Sequence, residues 1–106
     1  MMTDLKILTA SRELISKPEN WTQKAYARGK SGRKVKVTSK LAVCFCPIGA
    51  IAKIAKLGTL EVLCGETAKA LGQSHLVYFN DTHTHAEVLA LFDAAIAAER
   101  EKAGAQ

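Results

Sequence analysis

The sequence predicts a mainly α (α+β) fold, a compact set of four helices with one small two-stranded β-ribbon. Three observations lead there. A proline opens an almost wholly apolar run from Pro47 to Leu57. A T-x-x-E capping box, Thr84 to Glu87, stands directly before a second apolar periodic run. Between them in kind, Ala25–Arg28 and Arg33–Val37 flank a four-residue connection with glycine at both ends, Gly29 and Gly32, and the second flank alternates valine with lysine.

The first helix is expected over Leu5–Lys17. Thr3 or Asp4 can cap it, Ile7, Leu8, Ser11, Leu14 and Ile15 share one face, and Pro18 stops it. The ribbon follows at about residues 24–38. Two strands are not stable alone, so Trp21, Tyr26, Val35 and Val37 are expected to pin it to the helices.

Pro47 suits the first position of a helix, which puts Cys46 at or near its N-cap. Ile48, Ala50, Ile51, Ala52, Ile54, Ala55 and Leu57 make this helix apolar almost all round, with Lys53 and Lys56 on one edge. Such a helix is central, with the first and last helices packed on it. Gly49 leaves room for another backbone against its first turn. Gly58 is expected to end it, and Thr59 to cap a third helix over Leu60–Leu71, with a weak point at Gly65. The stretch Ser74–Asn80 reads as a short strand or an extended connector. The last helix runs over His85–Glu101, with Val88, Leu89, Phe92, Ala95 and Ile96 on its apolar face and a frayed tail at about 102–106.

At 106 residues the chain is expected to form a single domain, 1–106, with a core of its own. An apolar fraction of 48% excludes a disordered chain. No stretch reaches the roughly 20 apolar residues of a membrane-spanning helix. Asp4 and Lys6 interrupt any secretory pattern, so a cytoplasmic location and no membrane partner are expected. Three cysteines, Cys44, Cys46 and Cys64, are an odd number and argue against a disulfide framework.

Charge is unevenly placed. Between Asn20 and Leu60 there are nine bases and no acid, whereas the rest of the chain holds six bases and ten acids. Lys24, Arg28, Lys30, Arg33, Lys34, Lys36 and Lys40, with Tyr26 among them, form a basic ribbon that can meet phosphates or an acidic protein surface; Lys53 and Lys56 are possible additions. The bland alternative is a solubilising charged hairpin.

Two other chemistries are open. Cys44-x-Cys46 and His83-x-His85 supply thiols and imidazoles, but their spacing does not match the common zinc sites, so no metal and no cofactor is expected. Cys46 at a helix N-terminus is placed for thiol activation. With His85 as base and Asn80 or Asp81 orienting it, the set has the roles of a small Cys-His hydrolase. Against this stands a structural reading: Cys46 and His85 open two buried helices, Asn80 and Asp81 precede one, and all four can satisfy orphan backbone groups.

The order Trp21-Thr22, then Cys46-x-x-Gly49-Ala50, then Asn80-Asp81 and Thr84-His85 before a long apolar helix resembles an uncharacterised family of small bacterial and phage proteins, a domain of unknown function. The resemblance spans about Leu5 to Ala97. It implies no activity. It marks Cys46, Asn80, Asp81 and His85 as the shared polar set and leaves out Cys44 and His83, and the ribbon here is more basic than the family leads one to expect. The resulting expectation is an accessory protein that binds an acidic partner or nucleic acid through Lys24–Lys40. The alternatives are a Cys46–His85 enzyme and a structural or oligomeric phage component, such as a homo-oligomer.

Overall fold

The computed structural model describes residues 2–72 and 75–104. The chain is mainly helical with one two-stranded antiparallel sheet, as the sequence predicts. Helix α1 spans Asp4–Leu14, strands β1 and β2 span Ala27–Gly29 and Ala42–Phe45, and helix α2 spans Pro47–Ala55. Helices α3 (Thr59–Cys64), α4 (Glu66–Ala70), α5 (Leu76–Thr82) and α6 (His85–Gly104) follow.

Local chemistry sets most of these limits. The Thr3 hydroxyl accepts from the Lys6 N–H at 3.2 Å and opens α1. A 3₁₀ turn, Pro18–Asn20, follows the end of α1. Helix α2 starts at Pro47, as its missing N–H favours. Its end differs from expectation. Lys56, not Gly58, takes the left-handed conformation (φ 58°), and the N–H groups of Lys56 and Leu57 both reach the Ala52 carbonyl. Gly58 then becomes the N-cap of α3, where its N–H donates to Glu61 Oε1 at 3.2 Å. The third expected helix is broken at Gly65, whose extended backbone separates α3 from α4. The capping box of α6 is formed in both directions: Thr84 N–H to Glu87 Oε1 at 2.9 Å and Glu87 N–H to Thr84 Oγ1 at 3.2 Å.

Two assignments change more. The turn at Gly29–Gly32 forms, but the regular partner of β1 is Ala42–Phe45, with Ala27 opposite Phe45. Arg33–Val37 contributes only an isolated Arg28–Lys34 bridge, made by bonds from the Gly29 N–H to the Arg33 carbonyl and from the Val35 N–H to the Ala27 carbonyl. Phe45 is a buried anchor and Val35 is half-buried, so the apolar register is stronger on the β2 side. Residues 76–80 of the expected strand or connector are helical and belong to α5; Ser74 lies outside the described residues. Leu76 and Asn80, four apart, are its buried residues, which is helical and not strand spacing. The expected frayed tail is helical as far as Gly104, and residues 105–106 lie outside the described part.

The core joins Leu8 and Ile15 of α1, Ile48 and Ile51 of α2, Val62 of α3 and Val88 and Phe92 of α6, with Phe45 from the sheet. Helix α1 packs against both α2 and α6, so the middle position expected for α2 is held by α1 for the pairing with α6. An Arg12–Asp93 ion pair (Nε to Oδ1, 2.6 Å) fastens the outer edge of α1 to α6, and Thr67 Oγ1 donates to Asp4 Oδ1 at 2.7 Å to tie in α4.

Candidate functional site

The segment Trp21–Arg28 is held by α5 through side chains that the sequence marks as polar. Asn80 is 1% exposed. Its Oδ1 accepts from Trp21 Nε1 at 2.7 Å, and its Nδ2 donates to the Thr22 carbonyl at 3.0 Å. Asp81 Oδ1 accepts from the Lys24 N–H at 2.7 Å, which stabilises Lys24 at a positive φ of 62°. Gln23 Nε2 donates to the carbonyls of Asn80 and His83, at 2.8 and 2.9 Å. This fixes the last turn of α5, where carbonyls lack helical partners.

Arg28 completes the arrangement. Its guanidinium donates to Thr22 Oγ1, the Gly32 carbonyl and the Gln23 carbonyl, at 2.9, 2.9 and 3.1 Å. A planar fork with several donors suits a loop that presents acceptors from three directions. Arg28 is therefore occupied within the chain.

Cys46 sits where the sequence puts it, at the N-cap of α2. Its Sγ accepts from the Gly49 N–H at 3.4 Å. Gly49 has the packing role expected of it, since a Cβ there would overlap the Tyr26 carbonyl. The same carbonyl accepts from the Cys46 N–H at 3.2 Å. Burial opposes activation of the thiol. It is 4% exposed, and burial pushes it up to about 11 from an ordinary 9.0, with the Asp81 carboxylate adding to the rise. The Gly49 and Ile48 N–H groups pull the other way, but desolvation outweighs them.

His85 is directed elsewhere. Its Nε2 donates to the Ile15 carbonyl at 2.7 Å, and its ring lies 5.2 Å from the Trp21 ring. The structure thus brings Cys46, Asn80 and Asp81 to the wall of one cavity and leaves His85 off that wall, capping the end of α1. His83 stacks on Phe79 at 3.7 Å, and Cys44 Sγ faces the Arg28 carbonyl at 3.7 Å. Among the described residues no group of three or more His, Cys, Asp or Glu could hold a metal ion.

The cavity measures about 470 Å³ and is half open. Tyr26, Val35, Pro47, Ile48, Leu76 and Val77 give it apolar walls, and Lys24, Lys34 and Asp81 supply charge. Its size lies within the ~300–1,000 Å³ usual for ligand sites. Beside it the loop Lys30–Lys40 carries Lys30, Arg33, Lys34, Lys36 and Lys40, all exposed. The ion pairs among the described residues are Arg12–Asp93, Glu66–Lys69 and Glu99–Lys102, and none involves this loop. Tyr26 stands at the junction, 38% exposed.

Sequence reasoning missed Gln23 and the walls Leu76 and Val77. Gln23 carried no signal, being one polar residue in a polar stretch. The walls were hidden because α5 was not recognised as a helix.

No helix of the described chain is long and apolar enough to cross a membrane. Neither the curated proteins nor the solved structures contain a match to the chain. A family model, "Family of unknown function (DUF6197)", matches residues 1–98. That stretch includes the Trp21–Lys24 clamp, the Cys46–Gly49 helix start, Asn80, Asp81 and most of α6, and the chain belongs to this family of unknown function.

Proposed function

We propose that the protein is a small accessory factor that binds nucleic acid through the Lys30–Lys40 loop. The observation that supports this is the set of five exposed cations on that loop, none in an ion pair among the described residues. Phosphate contacts need cations that are accessible and not already neutralised. Arg28 drops out of the binding set as a direct contact, because its donors are used by Thr22, Gln23 and Gly32. Lys24, Tyr26 and Lys34 remain at the cavity mouth, and Lys30, Arg33, Lys36 and Lys40 extend the contact along the loop.

The Cys46–His85 enzyme gains no such support. A nucleophile needs a thiolate and a base within reach. Cys46 is buried with a raised pKa, and His85 is bonded to the Ile15 carbonyl.

The test is titration of labelled single-stranded and duplex oligonucleotides, DNA and RNA, over a range of salt. Affinity should fall with salt with a log–log slope of about −3 on single strands, as expected for four or five contacts. Lys34→Glu with Lys36→Glu should abolish binding and leave the thermal melt in place. Absence of binding at low salt, or unchanged affinity in the double variant, rejects the reading. Retention of the wild-type chain, but not the double variant, on an acidic polypeptide such as polyglutamate together with no oligonucleotide binding would point to an acidic protein partner instead.

A further inference from the structure

We infer that the cavity between the Lys24–Ala27 segment, the start of α2 and α5 receives one unpaired base of a bound single strand, with a preference for bases that carry an amino group. This rests on the loop being a nucleic-acid contact, and it adds what that contact would read.

The argument starts from what the cavity offers. Its walls are apolar and include one aromatic residue, Tyr26, with Pro47, Ile48, Leu76 and Val77. A base has two apolar faces and a polar rim, and it gains from leaving water for such walls. At the polar end stands Asp81. One of its carboxylate oxygens accepts from the Lys24 N–H, and the other has no hydrogen-bond partner among the described residues. A carboxylate accepts only, so it matches an exocyclic amine, as an acidic side chain does with the amino group of cytosine. The carbonyl-bearing edge of uracil or thymine presents acceptors there instead.

The surroundings match a strand and not a free base. Lys24 and Lys34 line the cavity, and their side chains make no hydrogen bond or ion pair among the described residues. Both are free to meet the backbone phosphates that flank an inserted base. Lys30, Arg33, Lys36 and Lys40 then follow along the loop. Charge at the mouth and apolar surface within is the arrangement that separates single-strand from duplex recognition, since paired bases cannot enter.

The experiment uses three single-stranded decamers of equal length and charge: all cytosine, all uracil, and all abasic spacers. The wild-type chain should bind the abasic decamer in a salt-sensitive way. It should bind the cytosine decamer about tenfold more tightly, as one stacked base allows, with uracil between. Val77→Trp, which fills the cavity from a half-exposed wall, should remove the gain from bases and leave abasic affinity unchanged. Asp81→Asn keeps an acceptor for the Lys24 N–H and should erase the cytosine-over-uracil preference alone, so it serves even if Val77→Trp fails to fold. Equal binding of all three decamers overturns the inference and leaves the loop reading standing. A full base-dependent gain in Val77→Trp also overturns it, placing the base elsewhere, for instance on exposed Tyr78. If no decamer binds, this inference falls, and the duplex titration decides whether the loop reading falls with it.

Discussion

The basic stretch divides into two regions that look alike in sequence and differ in structure. Trp21–Arg28 is stitched to α5 by Asn80, Asp81 and Gln23, and closed on itself by Arg28. Lys30–Lys40 is a loop of turns whose cations make no ion pair among the described residues. Both are rich in lysine and arginine. The difference teaches that charge alone does not mark a binding surface: a cation counts only if its donors are free. Arg28 and Lys34 are six residues apart, and one is a structural brace while the other is open to solvent.

This contrast is broken most sharply at Gly49. Adding a Cβ pushes against the Tyr26 carbonyl, a backbone atom fixed by the Cys46 N–H. Gly49→Ala is expected to cost about 3 kcal/mol, since overpacking against backbone has no side chain to yield. Urea unfolding measures it, and a loss below about 0.5 kcal/mol would mean that the segment is not clamped. Asn80→Ala comes next. It strips Trp21 Nε1 and the Thr22 carbonyl of their partner at a buried site. The expected loss is about 2 kcal/mol, because a buried group left unsatisfied costs about 1–3 kcal/mol. Trp21 fluorescence should shift to the red in the same variant as water reaches the indole.

Cys46 gives the clamped region a pH signature. Its folded value is raised from 9.0 to about 11, so the folded state keeps a proton that the unfolded chain gives up. The stabilising difference is present below about pH 9 and is lost as pH rises to about 11, in all about 2–3 kcal/mol. The comparison is with Cys46→Ser, which preserves the cap. The wild-type chain should lose more stability than Cys46→Ser between pH 9 and 11; parallel curves would show a thiol that meets water. In the native protein, exposed Cys64 should be alkylated well before Cys46.

How much of this the sequence disclosed follows from the range of the interactions. The start of α2, the cap at Cys46 and the capping box of α6 are local, and each is set by residues within a turn of one another; at Gly49 the glycine alone signalled a close approach, and its partner, the Tyr26 carbonyl, lies 23 residues away. The polar set was read as Cys46, Asn80, Asp81 and His85; the structure places the first three on one cavity wall and His85 at the end of α1. The strand partner was not legible. Pairing β1 with Ala42–Phe45 depends on the burial of Phe45, a tertiary preference that outweighs the neater alternation at Arg33–Val37. The partner of His85 was equally hidden, since the Ile15 carbonyl is 70 residues away and carries no side-chain signal.

The smallest effects test the comparison most directly. Arg28→Lys keeps the charge but cannot reach Thr22, Gln23 and Gly32 at once. It should lower stability by about 1–2 kcal/mol and change oligonucleotide affinity only through that loosening. Lys36→Gln should do the reverse. It removes an exposed charge that makes no ion pair among the described residues, so the melt should move by no more than about 0.5 kcal/mol. The salt slope on single strands should become shallower by about 0.7, the share of one phosphate contact. Both variants are read by the same two measurements, a urea titration and a salt series. If Arg28→Lys flattened the slope while the fold held, or if Lys36→Gln destabilised the chain, the two regions would not differ in kind. The crossed result would assign one cation to the fold and the other to the ligand, at positions eight residues apart in one basic stretch.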